Sequence, residues 1–177
     1  MRRSLLVLLA CLLYAGQSVA HGPSRLKVEE AVVVKASVAK IWALIGDFCS
    51  IDKWHPAIFK CACTGGNEVG ATRVLTIKDA GGPEVSEELQ KYDAQAMIYK
   101  YKLTKAPLEV LPVTTYSSFL SVKDNGDGTA TVQWRGGFYR GHPNANPPAA
   151  QNDEAATKAV TGSYRAGLAH IKELAEK

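Results

Sequence analysis

Arg73 and Glu87 stand where apolar residues are expected. Arg73 shares one face of a period-two stretch with Leu75 and Ile77, and Glu87 shares one with Val85 and Leu89. A charge on a core-facing position costs several kcal/mol unless it is paired or hydrated. Three arrangements satisfy this: an internal ion pair, a hydrated cavity, or a slip of strand parity that turns both residues to solvent. If the Gly81-Gly82 turn joins neighbouring strands, Leu75 stands opposite Glu87 and Arg73 lies one diagonal away on the same side. Tyr99, Tyr101, Tyr116 and Trp134 bring hydroxyls and an indole N–H to the same interior. Aromatic rings with polar tips suit either an ordinary core or a cavity for a mostly apolar ligand. Trp54-His55-Pro56 closes a short helix, where His55 has the titration range of a general base, a ligand contact or a metal ligand. The cavity set is therefore Trp54, His55, Arg73, Glu87, Tyr99, Tyr101, Tyr116 and Trp134.

Several chemistries lack their residues. There is no nucleophile elbow, no Gly-rich phosphate loop and no H-E-x-x-H, and no Ser-His-Asp set assembles from the spacing. No catalytic residue and no cofactor is assigned. Asp124-Asn125-Gly126-Asp127-Gly128 begins like a calcium loop, but its twelfth position is Arg135 where a bidentate Glu is needed, so it is a turn. Cys49, Cys61 and Cys63 with His55 lack the C-x-x-C pairs of a zinc site, and no metal is expected. His21 at a new N-terminus would offer copper an amine and an imidazole, without further support.

Residues 1–20 have the layout of a cleavable export signal. Arg2 and Arg3 precede the apolar run Leu5–Ala15, and Ser18-Val19-Ala20 is a small-x-small cleavage site. The run is too short for a membrane span. Cys11 follows Leu8-Leu9-Ala10 as in a lipoprotein box, but apolar residues continue past it. Cleavage leaves 157 residues, enough for one domain with a real core, carrying 19 basic and 17 acidic side chains. No basic block or aromatic-basic interleaving points to nucleic acid, and no later segment is apolar enough to span a membrane. An exported chain meets an oxidising compartment, so Cys49 is expected to bridge to Cys61 or Cys63, leaving one thiol over.

The elements that position these residues follow from periodicity. Asn152-Asp153-Glu154 is an N-cap with first-turn acids, and the chain then runs to Lys177 without proline. Ala156, Val160, Tyr164, Gly167, Ile171 and Leu174 form one face of a long amphipathic helix. Upstream, Leu26–Ala36 alternates as a strand. Ser37 caps a helix through Val38, Ile41, Trp42 and Ile45, and Asp47 caps a shorter one that Pro56 stops. Ile58–Thr64, Ala71–Lys78, Glu84–Tyr92, Met97–Thr104, Thr114–Lys123 and Thr129–Tyr139 read as six more strands, separated by Gly and Asn turns. Gly141–Gln151, with three prolines, is a loop either functional or serving only to carry the chain across the open end of the sheet. The expected class is α+β: a curved antiparallel sheet of about seven strands around a long C-terminal helix, with two short helices after the first strand.

This order resembles the helix-grip fold of the START-like and Bet v 1-like superfamily, also called SRPBCC. Ile41-Trp42-Ala43-Leu44-Ile45-Gly46-Asp47-Phe48, Trp54-His55-Pro56 and Gly70-Ala71-Thr72-Arg73 look like its polyketide cyclase/dehydratase-like branch. Phe138-Tyr139-Arg140-Gly141, Asn146-Pro147-Pro148, Asn152-Asp153-Glu154-Ala155-Ala156 and Ala159-Val160-Thr161-Gly162 are similar to the MxaD-type periplasmic proteins. That resemblance implies a non-enzymatic helper that assists electron transfer between methanol dehydrogenase and a c-type cytochrome. The fold also hosts cavity enzymes, so a second reading has Glu87, Arg73 and His55 doing acid/base work on a ligand.

Overall fold

The computed structural model describes residues 22–177. The expected export signal at 1–20, and His21, lie outside the described residues. Strand β1 (Leu26–Val34) is followed by α1 (Val38–Ile45), a 3-10 turn (Phe48–Ser50) and α2 (Ile51–Trp54). Six strands come next: β2 (Ile58–Thr64), β3 (Thr72–Ile77), β4 (Glu84–Asp93), β5 (Ile98–Lys105), β6 (Val113–Asp124) and β7 (Ala130–Arg140). Helix α3 (Asp153–Ala175) ends the fold.

The seven strands form one antiparallel sheet in the order β1-β7-β6-β5-β4-β3-β2. β1 pairs with β7, so the first strand returns beside the last, while the others follow one another as hairpins. This is the α+β helix-grip architecture expected from the sequence. Helix α3, about 35 Å long at 1.5 Å per residue, lies mainly against β1 and β7, with α1 packed beside it.

The caps behave as their residue types require. Ser37 accepts from Lys40 N, Asp47 from Cys49 N, and Asn152 from Ala155 N. Each satisfies a backbone donor that a helix start leaves open. The buried face of α3 is Ala156, Val160, Tyr164, Gly167, Leu168, Ile171 and Ala175. Leu174, expected on that face, is only half-buried. A 3.6-residue period drifts off a strict three-four repeat, which brings in Leu168 and Ala175 instead. Each large buried side chain of this face contributes roughly 1.5–3 kcal/mol relative to exposure.

Two strand details differ from the expectation. Met97 takes a left-handed φ of 48°, so it belongs to the turn and β5 starts at Ile98. The β3–β4 hairpin closes with Ile77 N donating to Pro83 O at 3.0 Å, with Lys78 (φ 72°) and Gly81 (φ 84°) both left-handed. Its centre is therefore Ala80 rather than Gly81, and Arg73 pairs directly with Glu87 instead of lying one diagonal away. The parity is unchanged, and both side chains point inward.

The proline-bearing loop after β7 is pinned by Arg140. Its Nε donates to His142 O at 2.8 Å, its Nη2 to Asn144 O at 2.8 Å, and its Nη1 meets Asp153 at 3.2 Å. The loop thus delivers the chain to the α3 N-cap, and none of its residues borders the internal cavity described next.

Candidate functional site

Arg73 and Glu87 form an internal ion pair. Arg73 Nε donates to Glu87 Oε2 at 2.7 Å, and Nη2 stands 2.7 Å from the same oxygen. Arg73 Nη1 donates to Phe48 O at 2.6 Å, and the guanidinium lies over the rings of Phe48 (4.1 Å) and Tyr101 (5.0 Å). β3 and β4 supply the pair by direct register, and the turn before α2 supplies the carbonyl. Burial pushes the Glu87 carboxyl up while Arg73 pulls it down. The carboxylate in turn holds the guanidinium firmly protonated against its own burial.

Glu87 borders a cavity of about 310 Å³ between the sheet and α3. Its walls are mostly apolar, with Ile51, Leu75, Val85, Val110, Leu111 and Val160 prominent. Of the expected residues, His55, Glu87, Tyr101, Tyr116 and Trp134 line it. Arg73, Trp54 and Tyr99 do not. Arg73 sits behind Glu87. Trp54 is fully buried against Trp134, with ring centres 5.6 Å apart, and Tyr99 is enclosed by Trp42, Phe48 and Tyr101.

A chain of polar tips crosses the cavity wall. Trp134 Nε1 donates to the Tyr101 hydroxyl at 3.0 Å. Tyr101 and Tyr116 hydroxyls are 3.3 Å apart, Tyr116 and Tyr164 2.7 Å, and Tyr164 and Ser118 2.7 Å. Ser118 Oγ donates to Arg135 O at 3.0 Å. Burial drives the three tyrosine pKa values upward, so all three stay protonated. Trp134 and Tyr164 stack with centroids 4.5 Å apart, which joins the sheet to α3.

Two glycines make that junction possible. A Cβ on Gly136 would come within 2.2 Å of the Tyr164 hydroxyl. A Cβ on Gly167 would stand 2.7 Å from Trp134 Cζ3 and 2.8 Å from His55 Cδ2. Both contacts are closer than carbon or oxygen neighbours tolerate.

His55 is held at both nitrogens. Ala57 N donates to Nδ1 at 3.2 Å, which places the ring proton on Nε2. Nε2 then points to Ser163 O at 3.1 Å and Ser163 Oγ at 3.2 Å. Burial lowers its pKa to about 4, so the ring is neutral at pH 7. With its lone pair taken by a backbone N–H, this histidine is poorly placed to accept a proton from a ligand.

The cysteines resolve as one bridge. Cys49 and Cys63 are bonded, tying the turn before α2 to β2, and Cys61 is left free. Burial pushes the Cys61 thiol up to about 11, away from the reactive thiolate range. Among the described residues no group of His, Cys, Asp and Glu is arranged to hold a metal, and no helix is long and apolar enough to cross a membrane.

Sequence reasoning missed Tyr164, Ser163, Val110 and Leu111 as contributors. Tyr164 was legible as part of the helix stripe, and its polar tip in an apolar row was the available signal. Ser163 sits beside it on the helix. Val110 and Leu111 come from the segment between β5 and β6, which carries no periodicity from which to place them.

A curved sheet gripping a terminal helix, with an internal apolar cavity edged by polar tips, defines a helix-grip ligand-cavity protein. Residues 25–176 match the family described as polyketide cyclase / dehydrase and lipid transport, and the chain belongs to that family. Among solved structures, it is similar to an uncharacterised protein from Bacillus thuringiensis, with 29% identity, a TM-score of 0.70, and coverage of 84% of this chain and 98% of that one. The protein XoxI from Bacillus cereus is similar at 28% identity and TM-score 0.70, covering 84% of this chain and 94% of that one. Norcoclaurine synthase from Thalictrum flavum shares the fold at 17% identity and TM-score 0.61, covering 98% of this chain and 96% of that one. No curated protein matches the sequence.

Proposed function

We propose that this protein is a non-catalytic periplasmic binding protein that holds an apolar small molecule and serves methanol oxidation, at the step between methanol dehydrogenase and its c-type cytochrome. The observation that carries the binding reading is the internal cavity of about 310 Å³ with mostly apolar walls. The engagement of both His55 nitrogens supports binding over acid/base turnover. The methanol-oxidation part rests on the MxaD-like text of the chain, and the similarity to a protein named XoxI supports it. Export rests on the layout of residues 1–20.

The binding reading is tested with N-phenyl-1-naphthylamine, a neutral fluorescent ligand. Saturable one-to-one enhancement is expected, and Ala159→Phe, which fills the cavity from α3, should abolish it. Enhancement unaffected by Ala159→Phe would place the probe elsewhere and defeat the reading. The partner reading is tested by native mass spectrometry of the protein taken from the periplasm of methanol-grown source cells. A complex with the dehydrogenase or the cytochrome is expected, and recovery of the protein with neither counts against it.

A further inference from the structure

The polar groups of the cavity are committed in one direction. Ser118 spends its proton on Arg135 O, so Tyr164 must donate to Ser118. A phenol has one proton. Tyr164 therefore accepts from Tyr116, and Tyr116 from Tyr101, which receives the indole N–H of Trp134. All three phenolic protons and the indole proton are consumed inside the wall. The Nε2 proton of His55 is consumed by Ser163. Of the lining side chains described, only the Ser163 hydroxyl has a proton that no partner takes.

Glu87 is committed differently. Both Arg73 contacts fall on Oε2, and among the described residues no donor reaches Oε1. Glu87 is 6% exposed and borders the cavity, so Oε1 is an unpartnered acceptor at an apolar wall. Arg73 is fully buried behind it and already faces the carboxylate, so its charge is not offered to a ligand.

We propose that the cavity selects ligands by a hydrogen-bond donor: an apolar molecule whose hydroxyl or amine N–H is given to Glu87 Oε1. This rests on the binding reading above and deepens it. A ligand of the same shape without a donor displaces water from Oε1 and leaves a buried carboxylate oxygen unsatisfied. A carboxylate-headed ligand adds like-charge repulsion and finds no donor among the tyrosines. Discrimination of about tenfold or more follows, because a site built for a ligand hydroxyl rejects the analogue that lacks it.

The test is calorimetric titration of the disulfide-intact protein at pH 7 with 2-naphthol, 2-methoxynaphthalene and 2-naphthoate. These share one fused two-ring skeleton and differ in the head. 2-Naphthol is expected to bind at least about tenfold more tightly than the ether, with 2-naphthoate weaker still. In the double variant Arg73→Met/Glu87→Leu, which removes the acceptor together with its counter-charge, the naphthol and the ether should bind within about twofold of each other. Wild-type protein that binds the ether or the naphthoate as tightly as the naphthol overturns donor selection and leaves the cavity reading standing. Binding of none of the three overturns both. The wild-type comparison decides the matter even if the double variant does not fold.

Discussion

Replacing Glu87 with Gln leaves the guanidinium of Arg73 buried without its counter-charge. Breaking a buried pair by removing one partner costs about 3–5 kcal/mol. The local geometry places this case at the low end. Arg73 keeps its bond to Phe48 O at 2.6 Å and its position over the Phe48 and Tyr101 rings, and the Gln carbonyl can still accept from Nε. We expect a loss of about 3 kcal/mol at pH 7, or about 1.5 M in the urea midpoint for a slope near 2 kcal/mol per M. Arg73→Met should cost less and recover as pH falls, because the orphaned carboxyl, already raised by burial, then takes up a proton. The double variant Arg73→Met/Glu87→Leu should lie within about 1 kcal/mol of wild type, since apolar side chains of similar volume replace a buried pair at little cost. Urea unfolding followed by tryptophan fluorescence and far-UV circular dichroism gives the cycle. A loss below about 1 kcal/mol for Glu87→Gln, or a double variant as unstable as the worse single one, would refute the reasoning.

Acidification should destabilise the fold through His55. Its folded pKa of about 4 lies below the ordinary 6.5, so the unfolded chain binds the extra proton between them. Its contribution is whole above pH 6.5 and declines toward pH 4, by about 3 kcal/mol at most. Glu87 acts with the opposite sign, because a raised carboxyl gains stability as pH falls. Unfolding at pH 7 and 4.5 should therefore show a smaller drop in His55→Gln than in wild type, and equal drops exclude His55 as the source. Gly167→Ala puts a methyl 2.7 Å from Trp134 and 2.8 Å from His55. Overpacking of about 1–3 kcal/mol should exceed the gain in helix propensity, giving a lower Tm in a thermal melt; an unchanged or higher Tm contradicts the packing. Cys63→Ser opens a bridge spanning 14 positions and should cost about 3 kcal/mol, whereas Cys61→Ser should change stability by less than about 1 kcal/mol. Equal losses in the two variants, or a peptide map joining Cys49 to Cys61, would reject the assigned connectivity.

How much of this was legible depended on the range of the interaction. The α3 face was readable because a helix repeats its contacts every few residues, and its Asn152 cap is a local signal. The strand stretches were readable for the same reason, and period two placed Arg73 and Glu87 among apolar neighbours, but only the folded sheet chose the interior over solvent for that face. The two differ in kind from the Cys49–Cys63 bridge. Cys61 and Cys63 share a face and are equivalent to a local reading, so only the approach of the turn before α2 to β2 separates them. The error of one hairpin position at Arg73–Glu87 has the same origin. Gly81-Gly82 announces a turn, but the left-handed φ of Lys78 centres it one residue earlier.

The sequence by itself determined the α+β class, the strand and helix order and which charged and aromatic residues share a strand face with apolar ones, because these depend on residue type and period along the chain. The tertiary structure decided which of those residues meet. It placed Tyr164 against Trp134, put Arg73 behind Glu87, and turned His55 onto Ser163. It also decided that Trp54 and Tyr99 belong to the packed interior and not to the cavity wall. The physical reason is that a hollow exists only between elements distant in sequence, and its shape depends on how far a helix and a sheet can approach. Gly136 and Gly167 set that distance here, and neither glycine shows its partner until the chain has folded.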